Sequence, residues 1–166
     1  SVPLEAQVDL LPSPAEMPPW EGADPRTGDT LTRPPDPAAP FSAFVFKTIA
    51  DPHAGKLSVA RIVSGRLAAH TAAANATRDV HERHGTALRV EGKKQPQIAE
   101  AQAGDIVAFT KLKETHSGDT LCDEKARIVY PELPHTPAVI SFALQTKSKG
   151  DDEKVMQGLH RLMEED

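Results

Sequence analysis

The chain has 166 residues, 39% of them hydrophobic but only 4% aromatic, and a formal net charge of −5. That length fits one ordinary domain, or a small domain with parts of its neighbours, and its core must rest on Val, Ile, Leu and Ala. No stretch approaches the roughly 20 apolar residues of a membrane span, no basic start leads into an apolar signal run, and the single Cys122 excludes a disulfide framework or a Cys-rich zinc module.

Charge is unevenly spread. Residues 41–130 hold 13 Lys and Arg against 10 Asp and Glu, a balance of +3, whereas the rest of the chain holds 6 against 14, a balance of −8. A basic middle removes an objection to nucleic-acid binding without establishing it. The chain starts at Ser1 and stops at Glu164-Glu165-Asp166 directly after a helical pattern, so both ends read as cuts in a longer protein.

In residues 1–12, Leu4, Val8 and Leu11 recur at helical spacing, about two turns, too short to stand alone in water. They read as the last helix of a preceding domain. Nine of the 15 prolines then lie in residues 12–40. Proline lacks an amide donor and disfavours helix before it, so residues 13–40 read as an extended tether. Trp20 either anchors that tether in a groove or is exposed on a mobile linker.

Residues 41–134 read as β structure. Strands are expected at Phe41–Ile49, Lys56–Val63, Thr71–Asn75, Val80–Val90, Ile106–Leu112 and Ala126–Tyr130, punctuated by Gly85, Gly92, Gly104 and Gly118. Short strands at this spacing point to a closed barrel or a sandwich. Several carry apolar residues on both faces, so periodicity does not choose the core face. In residues 135–166, Ile140, Phe142 and Leu144 alternate as in a strand. Val155, Leu159 and Leu162, with Met156 and Met163, then recur as an amphipathic helix with Asp151 and Asp152 at its start. A lone strand and helix cannot bury both apolar faces, so further partner strands are expected beyond residue 166.

Most candidate sites fail on geometry. His81-Glu82-Arg83-His84 resembles a zinc-protease helix but has its second His one residue too early, and it reads as a strand, where positions three apart face opposite ways. Cys122 and His116 could form a catalytic pair, but a buried thiol is the plainer reading. Asp105, Asp119 and Asp123 read as turn formers. No Gly-x-x-x-x-Gly-Lys-Ser/Thr loop exists, so a nucleotide is not held that way, and no catalytic constellation emerges. The turn Asp51-Pro52-His53-Ala54-Gly55-Lys56 is different. A Gly-containing turn lets backbone amides approach a phosphate, and His53 and Lys56 add donors, with Arg61 and Arg66 following. An ordinary hairpin tip with solvated charges has the same residues.

Several stretches together resemble bacterial elongation factor G, a translational GTPase, from the end of its G domain through domain II into domain III. They are Val8-Asp-Leu-Leu-Pro-Ser-Pro14, Arg33-Pro-Pro-Asp36, Phe46-Lys-Thr-Ile-Ala-Asp-Pro52, Gly55-Lys-Leu57, Arg61-Ile-Val-Ser-Gly65, Ala103-Gly-Asp-Ile106, Gly118-Asp-Thr-Leu-Cys-Asp-Glu124, Pro137-Ala-Val-Ile-Ser141 and Leu162-Met-Glu-Glu-Asp166. Family members usually have Gly where this chain has His70, so that hairpin turns differently or His70 takes a strained φ. Glu91-Gly-Lys-Lys-Gln95 and Lys111-Leu-Lys-Glu-Thr115 look closer to elongation factor G-like paralogues.

The resemblance implies a mainly β fold: a translation-factor domain II β-barrel of six or so strands over 41–134. The tether precedes it, and a truncated β-α start of domain III over 135–166 follows. It implies a cytoplasmic protein that docks on the small ribosomal subunit and its rRNA, with no membrane or DNA partner. The expected contact residues are Asp51, His53, Gly55, Lys56, Arg61 and Arg66. Gly104, Asp105, Gly118, Asp119 and Thr120 are expected in barrel-shaping turns that could face the G domain. The other partners are the G domain and domain III of the same chain. No catalytic, metal or cofactor site is expected in these residues; GTP and magnesium belong to the parent's G domain. The alternatives are a release-factor-type or ribosome-protection GTPase, or a free-standing barrel that holds a small ligand inside.

Overall fold

The computed structural model describes residues 10–51, 55–90, 95–134, 137–146, 148 and 150–165. Leu4, Val8, Pro52, His53, Ala54 and the stretch 91–94 lie outside the described residues.

Two ten-residue strands form the frame, β3 (Ser42–Asp51) and β4 (Gly55–Ser64), paired antiparallel. Before them come β1 (Trp20–Ala23) and β2 (Thr30–Arg33). After them come β5 (Arg66–Ala68), β6 (Ala72–Asn75), β7 (Val80–Arg83), β8 (Ala87–Arg89), β9 (Gln97–Ile98), β10 (Glu100–Gln102), β11 (Ile106–Thr110) and β12 (Thr120–Cys122). Eight strands make one curled sheet in the order β7-β6-β12-β3-β4-β11-β8-β9, with β5–β10 and β1–β2 as separate antiparallel pairs. The expected barrel is thus a half-barrel with ends at β7 and β9. The expected strand Val80–Val90 is broken, because the chain passes Thr110 at Gly85, where a Cβ would lie 2.5 Å from the Thr110 hydroxyl.

The strands have two apolar faces because both are covered. Ala43, Val45, Ala60, Ile62, Val107, Phe109 and Leu121 pack together inside the curl. Phe44, Val63, Ala74, Cys122, Ile128 and Tyr130 form a second cluster on the other side, with Trp20, Leu31 and Val129 packed against it. A bulge between Val45 and Lys47 leaves Phe46 without a register partner and exposed while Thr48 returns to the interior.

The proline-rich segment is therefore no plain extended tether. Asp24 accepts the amides of Arg26 and Thr27 at 2.8 and 3.4 Å, and Gly28 takes φ +78°, so 24–29 is a turn that joins β1 to β2. The hairpin places Trp20 5.3 Å from Tyr130 and 6.0 Å from Phe44, ring centre to ring centre. Beneath the rings runs a directed chain of hydroxyls. Ser64 donates to the Pro40 carbonyl at 2.7 Å, so Ser42 donates to Ser64 at 2.6 Å and Tyr130 donates to Ser42 at 2.7 Å. Burial pushes the Tyr130 phenol up to about 12, so it keeps the proton that the chain requires.

Helix α1 (Asp152–Glu165) forms as the pattern predicts and runs beside β3. Asp152 accepts the Thr146 hydroxyl at 2.8 Å. Residues 137–146 make no strand among the described residues, and Val139 is 93% and Phe142 80% exposed. An alternating pattern becomes a strand only where a neighbour takes its amides and carbonyls, and none of the described strands does so. No described helix is long and apolar enough to cross a membrane.

His70 does take the left-handed conformation, at φ +62°, with its amide donating to the Gly85 carbonyl at 3.1 Å. Close by, His84 is buried against Phe109 with ring centres 4.8 Å apart. Its Nδ1 donates to the Gly85 carbonyl at 3.1 Å and its Nε2 lies 3.2 Å from the Thr71 hydroxyl. Burial lowers the affinity of this imidazole for a proton, against a smaller opposing effect of the Gly85 carbonyl.

This packing makes two glycines unequal and one histidine pH-sensitive. At Gly65 (φ +73°) an added Cβ would lie 2.6 Å from backbone atoms of Ala39 and Phe41, whereas at Gly118 (φ +91°) it would meet nothing within 4 Å. Gly65→Ala should lower unfolding free energy by about 3 kcal/mol and Gly118→Ala by about 1 kcal/mol, read from urea midpoints. For His84, the unfolded imidazole titrates near 6.5 and the folded one lower. Its stability contribution is complete above the unfolded value and lost as pH falls through the folded one. Wild type should lose more unfolding free energy between pH 7 and pH 5 than His84→Phe, which keeps the ring against Phe109.

Candidate nucleic-acid interface

The β3–β4 hairpin tip brings Asp51 opposite Gly55 and Ala50 opposite Lys56. Gly55 is at φ +74°, and an added Cβ would meet nothing within 4 Å among the described residues, so glycine serves the turn and not the packing. Lys56 is half-buried, with Nζ 3.4 Å from the Lys113 carbonyl. The tip thus stands beside the loop 111–119 that joins β11 to β12.

That loop is held from below by two buried carboxylates. Glu82 accepts the amides of Lys113 and Glu114 at 2.5 and 2.7 Å and the Thr115 hydroxyl. Asp119 Oδ2 accepts Arg78 Nε at 2.7 Å, and Asn75 Nδ2 and the His116 amide at 2.9 Å each. Asn75 also reaches Thr115 at 3.2 Å. Each buried acid is satisfied by several donors, as a charge in low dielectric requires. The loop that flanks the tip is therefore fixed, and its Lys111 sits at φ +66°.

The sequence-derived contact residues do not all share one place. Asp51, Gly55 and Lys56 are at the tip, and His53 lies outside the described residues. Arg61 is mid-strand, about 20 Å from Gly55 at ~3.3 Å per residue, with its guanidinium 5.9 Å from the Trp20 ring centre. Arg66 lies beyond the far end of β4 and pairs with Glu100 at 3.1 Å.

The remaining turns shape the sheet. Gly104 (φ +96°) donates its amide to Ile62 at 2.9 Å, and Asp105 accepts the Gln102 amide at 3.0 Å. A Cβ on Gly104 would lie 2.8 Å from Pro14, at the start of a short 3-10 turn (Pro14–Glu16), so the incoming segment docks on this loop. Gly118 donates to the Val45 carbonyl at 2.7 Å, and Thr120 Oγ1 accepts the Tyr130 amide at 3.0 Å. Asp119 is more than the turn former read from the sequence, because it closes a buried polar network. Glu82, in a run that fails as a metal motif, anchors the loop. The alternation in β7 puts it inward, but its partners are about 30 residues away and leave no local signal.

Other chemistry is not assembled among the described residues. His81 is exposed, 3.1 Å from Glu124, while His84 is buried, and no cluster of three or more His, Cys, Asp or Glu could hold a metal. Cys122 lies in the second apolar cluster, where burial pushes its thiol up, and His116 Nδ1 instead donates to the Glu114 carbonyl at 2.8 Å. What the tip can do is present one partly buried cation and an open glycine backbone to a phosphate.

Residues 40–124 match the family profile described as elongation factor G domain 2. The chain is 40% identical over 163 residues to elongation factor G of Dehalococcoides mccartyi strains BAV1 and CBDB1, which covers 98% of this chain and 24% of each relative. A crystal structure from Thermus thermophilus superposes with a TM-score of 0.71 at 26% identity, covering 99% of this chain and 22% of that one. The chain thus spans about a quarter of the length of the curated relatives it matches. On the matched β domain and the near-complete alignment, the chain belongs to the elongation factor G family and carries its domain 2.

Proposed function

We propose that this region docks a translational GTPase on the small ribosomal subunit, with the Asp51–Lys56 hairpin tip against the rRNA backbone. The observation that carries the reading is the placement of Lys56 and Gly55 on a long hairpin of a family-matched domain 2, beside a loop held by Glu82 and Asp119. A partly buried ammonium gives a charge-assisted contact, and the open glycine permits close approach. In this reading Arg61 stiffens the sheet against Trp20 and Arg66 pairs with Glu100, so neither is at the tip contact. The chain couples nucleotide state to domain position by contact with the other domains, and the protein works in the cytoplasm. GTP and magnesium belong to the part of the relatives outside the matched quarter; this chain has no phosphate loop for them. The interior of the curl is filled by side chains such as Phe109, Ile62 and Leu121, which disfavours the reading as a small-ligand barrel.

The test is ribosome-stimulated GTPase rate against ribosome concentration in the full-length protein, at two salt levels. Lys56→Ala should raise the half-saturating ribosome concentration about 5-fold, the scale of about 1 kcal/mol for one partly exposed charged hydrogen bond. The effect should shrink at high salt, since each neutralised phosphate releases about one counterion. Gly55→Asp should do worse, by adding like charge and an unfavourable φ. Intrinsic GTP affinity should not move. An unchanged half-saturating concentration for Lys56→Ala at both salts would make the turn an ordinary hairpin tip.

A further inference from the structure

A second cationic site lies away from the tip. Arg33, at the end of β2, is half-buried. Its outer nitrogens donate to the carbonyls of Thr32 at 3.3 Å and Ala126 at 2.9 Å, while its buried Nε has no acceptor. Among the described residues no carboxylate pairs with it. A half-buried guanidinium with one unpaired N–H and no carboxylate paired to it leaves positive charge that an anion can balance.

Arg33 lines a cavity of about 570 Å³ between the β1–β2 turn and the loop after β12. The other charges there divide into two groups. Glu124 is engaged by Arg127 at 2.6 Å and His81 at 3.1 Å, Arg127 also reaches Asp79, and Asp24 accepts the turn amides. Arg26, 83% exposed, makes only a long 3.9 Å ion pair with Asp24, and among the described residues the exposed Lys125 has no carboxylate partner. Three cations from three separate segments therefore surround one volume. A planar carboxylate is best held side-on by one free arginine fork, and the fork of Arg33 is occupied by carbonyls. A tetrahedral phosphate, with oxygens in several directions, suits the arrangement better.

We propose that this cavity binds a phosphate group through Arg33, with Arg26 and Lys125 closing on it. A free phosphate compound and a nucleic-acid backbone share this chemistry, and the volume admits either.

The experiment follows backbone amide shifts of the 166-residue chain at constant ionic strength. One arm adds sodium pyrophosphate and the other a short single-stranded RNA. Saturable shifts at Arg26, Arg33 and Lys125–Arg127 are expected. Pyrophosphate alone reproducing them assigns a free phosphate ligand, and a response to RNA only assigns the backbone. Arg33→Gln should weaken binding about 10-fold or more, and Lys125→Ala, an exposed side chain whose loss leaves the fold intact, about 3-fold. The proposal fails if neither probe gives saturable shifts, or if citrate at equal ionic strength matches both. It also fails if Lys125→Ala binds like wild type.

Discussion

The structure depends on a sheet that is apolar on both faces. Ala43 and Val45 face the interior of the curl while Phe44 between them faces outward, and Leu121 and Cys122 divide in the same way. Such a sheet cannot leave one side in water, since each exposed side chain of this size forfeits about 1.5–3 kcal/mol of burial. The β1–β2 hairpin, with Trp20 on Phe44 and Tyr130, covers the outer side. The hydroxyl chain from Tyr130 through Ser42 and Ser64 to Pro40 ties this cover to β3 and β4, with each of these three hydroxyls paired.

The docking proposed for the tip draws on that stiffness. A hairpin of two ten-residue strands projects its tip only if its root is fixed, and the root is where both apolar clusters meet. The neighbouring loop 111–119 would otherwise be a mobile connection between β11 and β12. Glu82 and Asp119 remove that freedom by taking its amides and the Thr115 hydroxyl. In the proposed docking, the Lys56 ammonium is thereby placed before the partner arrives, which lowers the ordering cost of the contact. The incoming segment is likewise registered, by Pro14 against Gly104.

Much of the frame was legible from the residues. β3, β4, β6 and β11 fall within two residues of their hydrophobic runs, and Gly85, Gly104 and Gly118 stand at breaks between strands, while Gly92 lies outside the described residues. His70 takes the positive φ that its place in the hairpin demands. The β1–β2 hairpin was hidden by its prolines, although they flank the strands and the turn 24–29 has ordinary turn chemistry. Residues 137–146 misled in the opposite direction, because an alternating pattern says nothing about whether a pairing strand is present. At the site, the turn Asp51–Lys56 could be read locally. The anchoring by Glu82 and Asp119 could not, because it rests on contacts between residues some 30 to 44 positions apart. The cation at Arg33 was equally silent, since only its burial distinguishes it from any other arginine.

The hairpin over the outer face holds the sheet together. Amide hydrogen exchange on the 166-residue chain and on its Trp20→Ala variant tests it directly. Loss of the ring should speed exchange by about 10-fold or more at Phe44 and Val45 in β3 and at Ala76, just past β6, whose amide donates to the Thr120 carbonyl of β12. The urea midpoint should fall by an amount equivalent to about 2–3 kcal/mol. Unchanged exchange at those amides, with an unchanged midpoint, would mean that the sheet stands without its cover and would contradict the account.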